Sequence, residues 1–139
     1  MKRGLFCVVA LAVTTLGACD TRPPASEEPI LSLRQLNGCW TDFSDPLRQV
    51  LCFDRGTGTV AVERGDGLGR VICRGEGRAA LEPPRLTVTQ RSVANGCEGG
   101  RTFDGQRVEC DLEMSTVYGM FCNRWIGSAN GTQYILTRL

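Results

Sequence analysis

Beyond Leu36 no stretch of useful length repeats its apolar positions at helical spacing. Short apolar runs are separated instead by glycine and charge. Leu31, Leu33 and Leu36 fit one helical turn ahead of those runs. Leu86-Thr87-Val88-Thr89 alternates cleanly, and Val108, Cys110 and Leu112 alternate with Arg107, Glu109 and Asp111. Val60 and Val62 share one face of Gly58–Val62. This two-residue period is that of half-buried strands. Val50–Phe53 has little polarity, which implies cover on both faces, and Arg70–Cys73 and Val117–Ile126 are further apolar-rich runs. Counting from Gly38 gives about eight strands at turn spacings of roughly 8–12 residues, the pattern of an all-β sandwich or barrel.

Turn chemistry separates the runs. Asp54–Gly58 and Gly65–Gly69 are glycine-rich but precede no helix, so they read as hairpin turns rather than phosphate cradles. Arg64-Gly65-Asp66 falls in the same turn context. Pro83-Pro84 belongs in a loop, because proline cannot donate to a ladder. Asn130-Gly131 is the preferred type I′ pair. Pairing outward from it sets Ile126 against Ile135 and Trp125 against Leu136, on one face with Phe121 and Tyr134. Asn130-Gly131-Thr132 is also a glycosylation sequon by letter, which the same turn accounts for.

The first residues have a different texture. Lys2 and Arg3 precede the uncharged run Leu5–Leu16, which is too short for the roughly 20 residues that span a bilayer and suits a signal peptide. The run ends in Leu16-Gly17-Ala18-Cys19, which resembles the bacterial lipobox. That resemblance implies cleavage before Cys19, a diacylglyceryl group on its thiol, and acylation of the new amino group. Several acyl chains make a stable anchor where one is marginal. Asp20 beside the lipidated cysteine resembles an inner-membrane retention signal. Asp20–Pro29 has two adjacent prolines, three acids and one apolar residue, and reads as a disordered tether. The expected organisation is a leader at 1–18, anchor and tether at 19–32, and a barrel domain at 33–139, facing the periplasm.

The 139 residues carry 16 Lys+Arg against 15 Asp+Glu. Near-neutrality argues against a general nucleic-acid binder. Histidine is absent, and from Cys19 onward so is lysine. Histidine-based triads, histidine metal ligands and Schiff-base chemistry are therefore excluded. Without Cys7 and Cys19, an even set remains: Cys39, Cys52, Cys73, Cys97, Cys110 and Cys122. In an exported chain these read as three disulfides, and no C-x-x-C spacing suggests a metal or redox site. Fifteen connectivities are open. Cys52–Cys73 is preferred, because both lie in neighbouring strand candidates.

Gly38-Cys39-Trp40 opens the domain, and Arg138 nearly closes it. The pair resembles the lipocalin-like (calycin) pattern, which implies a Trp plugging the barrel bottom and a basic residue from the last strand packed on its indole face. Small calycin-like envelope lipoproteins, including inhibitors, are similar in size and address. The implied fold is a small, disulfide-stapled antiparallel barrel of about eight strands. Asp42, Asp45 and Asp54 cluster near the first two strands. They read as loop acids rather than a glycosidase pair, since no aromatic substrate platform accompanies them. Arg55, Arg64, Arg74 and Arg101 lie near candidate turns and could grip carboxylates. The function expected is a non-catalytic, lipid-anchored binding or inhibitor protein with a protein partner and no cofactor. A structural envelope lipoprotein is the alternative, and a carboxylate-only enzyme ranks last.

Overall fold

The computed structural model describes residues 29–45, 48–129 and 131–139. The leader, Cys19, Asp20, nearly all of the tether and Asn130 lie outside the described residues. A 3-10 turn over Leu33–Leu36 precedes eight strands. They are β1 (Gly38–Thr41), β2 (Gln49–Phe53), β3 (Thr59–Gly65), β4 (Val71–Glu82), β5 (Arg85–Cys97), β6 (Gln106–Thr116), β7 (Gly119–Ile126) and β8 (Gln133–Arg138). Each pairs antiparallel with its sequence neighbour, and β8 pairs back onto β1, so the sheet is a closed barrel. Closure removes every sheet edge that would otherwise template aggregation.

Alternation sets the inside and outside. Inward positions Leu51, Val60, Val62, Leu86, Val88, Val108 and Leu136 are all at most 1% exposed. Burying each such side chain is worth about 1.5–3 kcal/mol. The outer wall carries cross-strand charges: Arg74 faces Glu63 at 3.3 Å, and Arg91 pairs with its register partner Glu76. An apolar interior with a charged exterior is the reverse of a lipid-facing barrel.

Three disulfides join directly opposed residues on neighbouring strands: Cys39–Cys52 across β1 and β2, Cys73–Cys97 across β4 and β5, and Cys110–Cys122 across β6 and β7. The expected Cys52–Cys73 bridge does not form. Strand β3 separates β2 from β4, and the register neighbours of Cys52 are Cys39 and Ala61.

The last hairpin also differs from expectation. Ile135 faces Phe121, and Leu136 faces Met120. The chain reverses earlier, between Ile126 and Ala129, with Gly127 at φ 61°. The change of register is by an odd number of residues, so it reverses which β7 side chains face inward. Tyr134 and Leu136 point inward, whereas Phe121 is 43% exposed and Trp125 carries the Arg107 guanidinium 4.7 Å from its ring centroid.

Chain direction gives the barrel two unlike ends. At one, the incoming segment lies across the opening. Ile30 and Leu36 are buried, and Trp40 donates from Nε1 to the Leu36 carbonyl at 2.8 Å. Gln35 holds the segment in place: its Oε1 accepts the Leu31 and Ser32 N–H groups, and its Nε2 donates to the Pro29 carbonyl. Arg138, the register partner of Trp40, lies 4.8 Å from its ring centroid and donates to the Gln35 carbonyl. This is the closed end. The opposite end is bounded by the β1–β2, β3–β4, β5–β6 and β7–β8 connections.

Candidate functional site

Six inward rows continue past the apolar core to the same end of the barrel, and each finishes there on a polar side chain. In β2, Phe53 and Leu51 lead to Gln49; in β3, Val60 and Val62 lead to Arg64. In β5, Leu86 and Val88 lead to Gln90; in β6, Cys110 and Val108 lead to Gln106. Met120 and Cys122 of β7 lead to Arg124, and Leu136 of β8 leads to Tyr134. The result is a polar layer inside the open end.

Its contacts form two linked groups. Gln49, fully buried, donates from Nε2 to Gln90 Oε1 at 2.9 Å. Gln49 is also the register partner of Arg64, whose Nη2 reaches Gln106 Oε1 at 3.4 Å. The Arg64 guanidinium lies 5.3 Å from the Phe103 ring centroid. Phe103 comes from the β5–β6 connection and is fully buried. Its N–H donates to Ser92 Oγ at 2.7 Å. Gly75 makes room for it, because a Cβ there would sit 2.6 Å from Phe103 Cδ2. The second group is Arg124, which pairs with Asp45 at 3.3 Å and lies 5.2 Å from the Tyr134 ring centroid. Beside it, buried Asp42 accepts the N–H and hydroxyl of Ser44. An open cleft of about 300 Å³ runs between Asp42, Asp45, Arg124, Thr132 and Tyr134.

Electrostatics follow from confinement. Burial pushes the Arg64 guanidinium below its usual value; Arg124 and Arg101 add to this, and Asp45 opposes it. Burial pushes the Tyr134 phenol up to about 12, against the lowering effect of Arg124. Five polar atoms of this layer are buried without a hydrogen-bond partner among the described residues: Arg64 Nε, Arg124 Nε, Gln90 Nε2, Gln49 Oε1 and Tyr134 Oη. Each such atom carries a desolvation penalty of about 1–3 kcal/mol.

The carboxylates singled out in the sequence are divided. Asp42 and Asp45 lie at the open end, and Asp54 begins the β2–β3 turn at the closed end. Asp42 is only 5% exposed and so is not a solvated loop acid. Of the four turn arginines, Arg64 lies in the interior and Arg101 in the β5–β6 connection, donating to the Glu98 carbonyl. Arg74 is on the outer wall, and Arg55 is in the turn with Asp54. Arg64 and Asp66 are parted, one inside the barrel and the other capping the β3–β4 turn through its bonds to the Leu68 and Arg70 N–H groups. Sequence reasoning passed over Gln49, Gln90, Gln106, Arg124 and Tyr134. The signal was present: each extends an inward period-two row by one step.

Around the open rim, Phe43 is 54% and Leu68 93% exposed, with Arg48 stacked 5.6 Å from the Phe43 ring centroid. Among the described residues, no group of three or more Cys, Asp and Glu side chains is placed to hold a metal ion. Compared with protein-family models, curated proteins and solved structures, the chain gives no match.

Proposed function

We propose that this is a lipid-anchored, non-catalytic envelope protein that engages a protein partner through the open end of its barrel, in the manner of small calycin-like binding lipoproteins. The observation that carries this reading is the polarity of the molecule. The chain leading from Cys19 joins the barrel at the end closed by Leu36, Trp40 and Arg138. The polar layer and the exposed Phe43 and Leu68 lie at the other end. Attachment at the closed end keeps the tether away from the rim, which the disordered tether leaves free to orient toward a partner. Apolar and aromatic tips beside charged, partly desolvated groups are the composition of a protein-binding hot spot. The lipobox and the short apolar run supply the anchor, and the absence of histidine leaves the interior carboxylates without a histidine to act as general base.

The test is affinity capture from envelope extract with the full chain. Phe43→Asp and Leu68→Asp at the rim are expected to release a specific partner, while Leu31→Asp at the closed end retains it. Partner loss from the closed-end variant alone would overturn the assignment of the binding face. Cys19→Ser is expected to move the protein out of the detergent phase and leave it unprocessed; unchanged partitioning would overturn the anchor.

A further inference from the structure

The polar layer of the open end has more donors than acceptors. Its buried atoms without partners among the described residues include three N–H donors, on Arg64, Arg124 and Gln90, and one acceptor, Gln49 Oε1, together with the Tyr134 hydroxyl, which can both donate and accept. Exchanging oxygen and nitrogen in both the Gln49 and Gln90 amides leaves the same inventory, so the imbalance does not depend on how those amides are oriented. Arg124 already has a carboxylate in Asp45. Arg64 has none within ion-pair distance among the described residues; its side chain meets only an amide oxygen at 3.4 Å and an aromatic face. Such a site calls for a ligand that only accepts.

Charge decides which acceptor. Arg64, Arg101 and Arg124 act together at this end, with Asp45 and Asp42 beside them. Arg124 is matched by Asp45 at 3.3 Å, which leaves Arg64 as an interior guanidinium without an ion-pair partner among the described residues, a single charge that suits a monoanion better than a dianionic phosphate. The guanidinium fork and a side-chain amide are also the pair that receives the two oxygens of a carboxylate.

Resting on the reading of the open end as the binding face, we propose that Arg64, beside the Gln49–Gln90 amide pair, is the receptor for a single carboxylate carried by the ligand. Burial and the neighbouring Arg124 and Arg101 lower the Arg64 pKa from its usual value, an effect that a carboxylate beside it would oppose, as Asp45 does.

The test follows the arginine Nε–Hε resonances of the full chain in detergent micelles, titrated separately with acetate, with a short Asp- and Glu-containing peptide, and with inorganic phosphate. A saturable shift of the Arg64 signal with acetate and with the peptide supports the site. Peptide affinity at least about tenfold above acetate identifies an acidic segment of a protein as the source, and equal affinities identify a small free carboxylate. Arg64→Gln, followed through the neighbouring Arg124 Nε–Hε signal, is expected to weaken binding at least about tenfold. Gln90→Glu, which places a carboxylate inside the layer, is expected to weaken acetate binding even if Arg64→Gln does not fold. Outer-wall Arg74→Gln is expected to change nothing. No response, a response retained in both Arg64→Gln and Gln90→Glu, or a response to phosphate alone overturns the proposal. Partner capture that depends on Phe43 and Leu68 yet ignores Arg64→Gln would sink the carboxylate site and leave the binding face standing.

Discussion

The two ends of the barrel use the same residue types for opposite purposes. At the closed end an arginine and an aromatic ring meet as Arg138 on Trp40, and both find backbone carbonyls, those of Gln35 and Leu36. Among the described residues, Arg138 Nε is the one buried side-chain polar atom left without a partner there. At the open end Arg64 meets Phe103 and Arg124 meets Tyr134 at similar distances, but the layer around them retains several unpaired polar atoms. A buried polar group that is fully bonded adds rigidity, whereas one left short of partners is held at a cost that packing elsewhere must offset. The closed end therefore reads as architecture and the open end as a place where stability has been given up.

Removing the plug should show the largest effect. Trp40→Ala is expected to destabilise the fold by about 3–5 kcal/mol, because the cavity left under a fully buried indole cannot collapse between β1, β8 and the Leu33–Leu36 turn. Denaturant unfolding measures it. A loss below about 1 kcal/mol would mean that the closed end does not anchor the barrel.

Alkali tests the open end. Tyr134 holds its proton up to about 12 in the folded state, against 10.0 as the ordinary value. Its contribution is complete below pH 10. Between pH 10 and 12 the unfolded chain releases the proton while the folded one keeps it, so stability falls as pH rises, by at most about 2–3 kcal/mol. Tyr134→Phe should remove that slope and the matching phenolate absorbance phase. A slope that persists in Tyr134→Phe would place its origin elsewhere.

The smallest effect should come from the glutamine pair. Gln49→Leu or Gln90→Leu alone strands the other amide and is expected to cost about 1–3 kcal/mol. The double variant should lie within about 1 kcal/mol of the parent, since both polar groups then leave together. A double variant as unstable as the sum of the singles would show that the pair is built for stability, and would erase the contrast between the two ends.

How much of this was legible before folding depended on distance along the chain. The all-β class and the inward rows Val60-Val62 and Val108-Cys110-Leu112 follow from a period that neighbouring residues report, whereas the choice of barrel over sandwich rested on the resemblance carried by Gly38-Cys39-Trp40 and Arg138. The Leu33–Leu36 turn is legible for the same reason. Two errors arose where partners are chosen by the ring as a whole. Asn130-Gly131 is a strong local turn signal, yet the pairing of Phe121 with Ile135 decides which side chains face in. Cys52 and Cys73 lie in successive candidate strands, but β3 intervenes. The open-end layer was hidden differently. Gln49, Gln90 and Arg124 look like ordinary surface residues taken singly, and become one cluster only when β2, β5 and β7 are curled into a common interior.

The three disulfides have a consequence for how the chain matures. Cys39 joins Cys52, Cys73 joins Cys97 and Cys110 joins Cys122, with separations of 13, 24 and 12 residues. Each of these six cysteines is bonded to its neighbour in the set, with no bond enclosing or crossing another, and a lipidated Cys19 would have no thiol to compete. A thiol oxidant acting on cysteines in the order in which a chain emerges from a channel would pair them correctly at first encounter. Of the fifteen possible arrangements, the native one is thus the arrangement that vectorial oxidation writes by default, and it requires no later reshuffling by a disulfide isomerase.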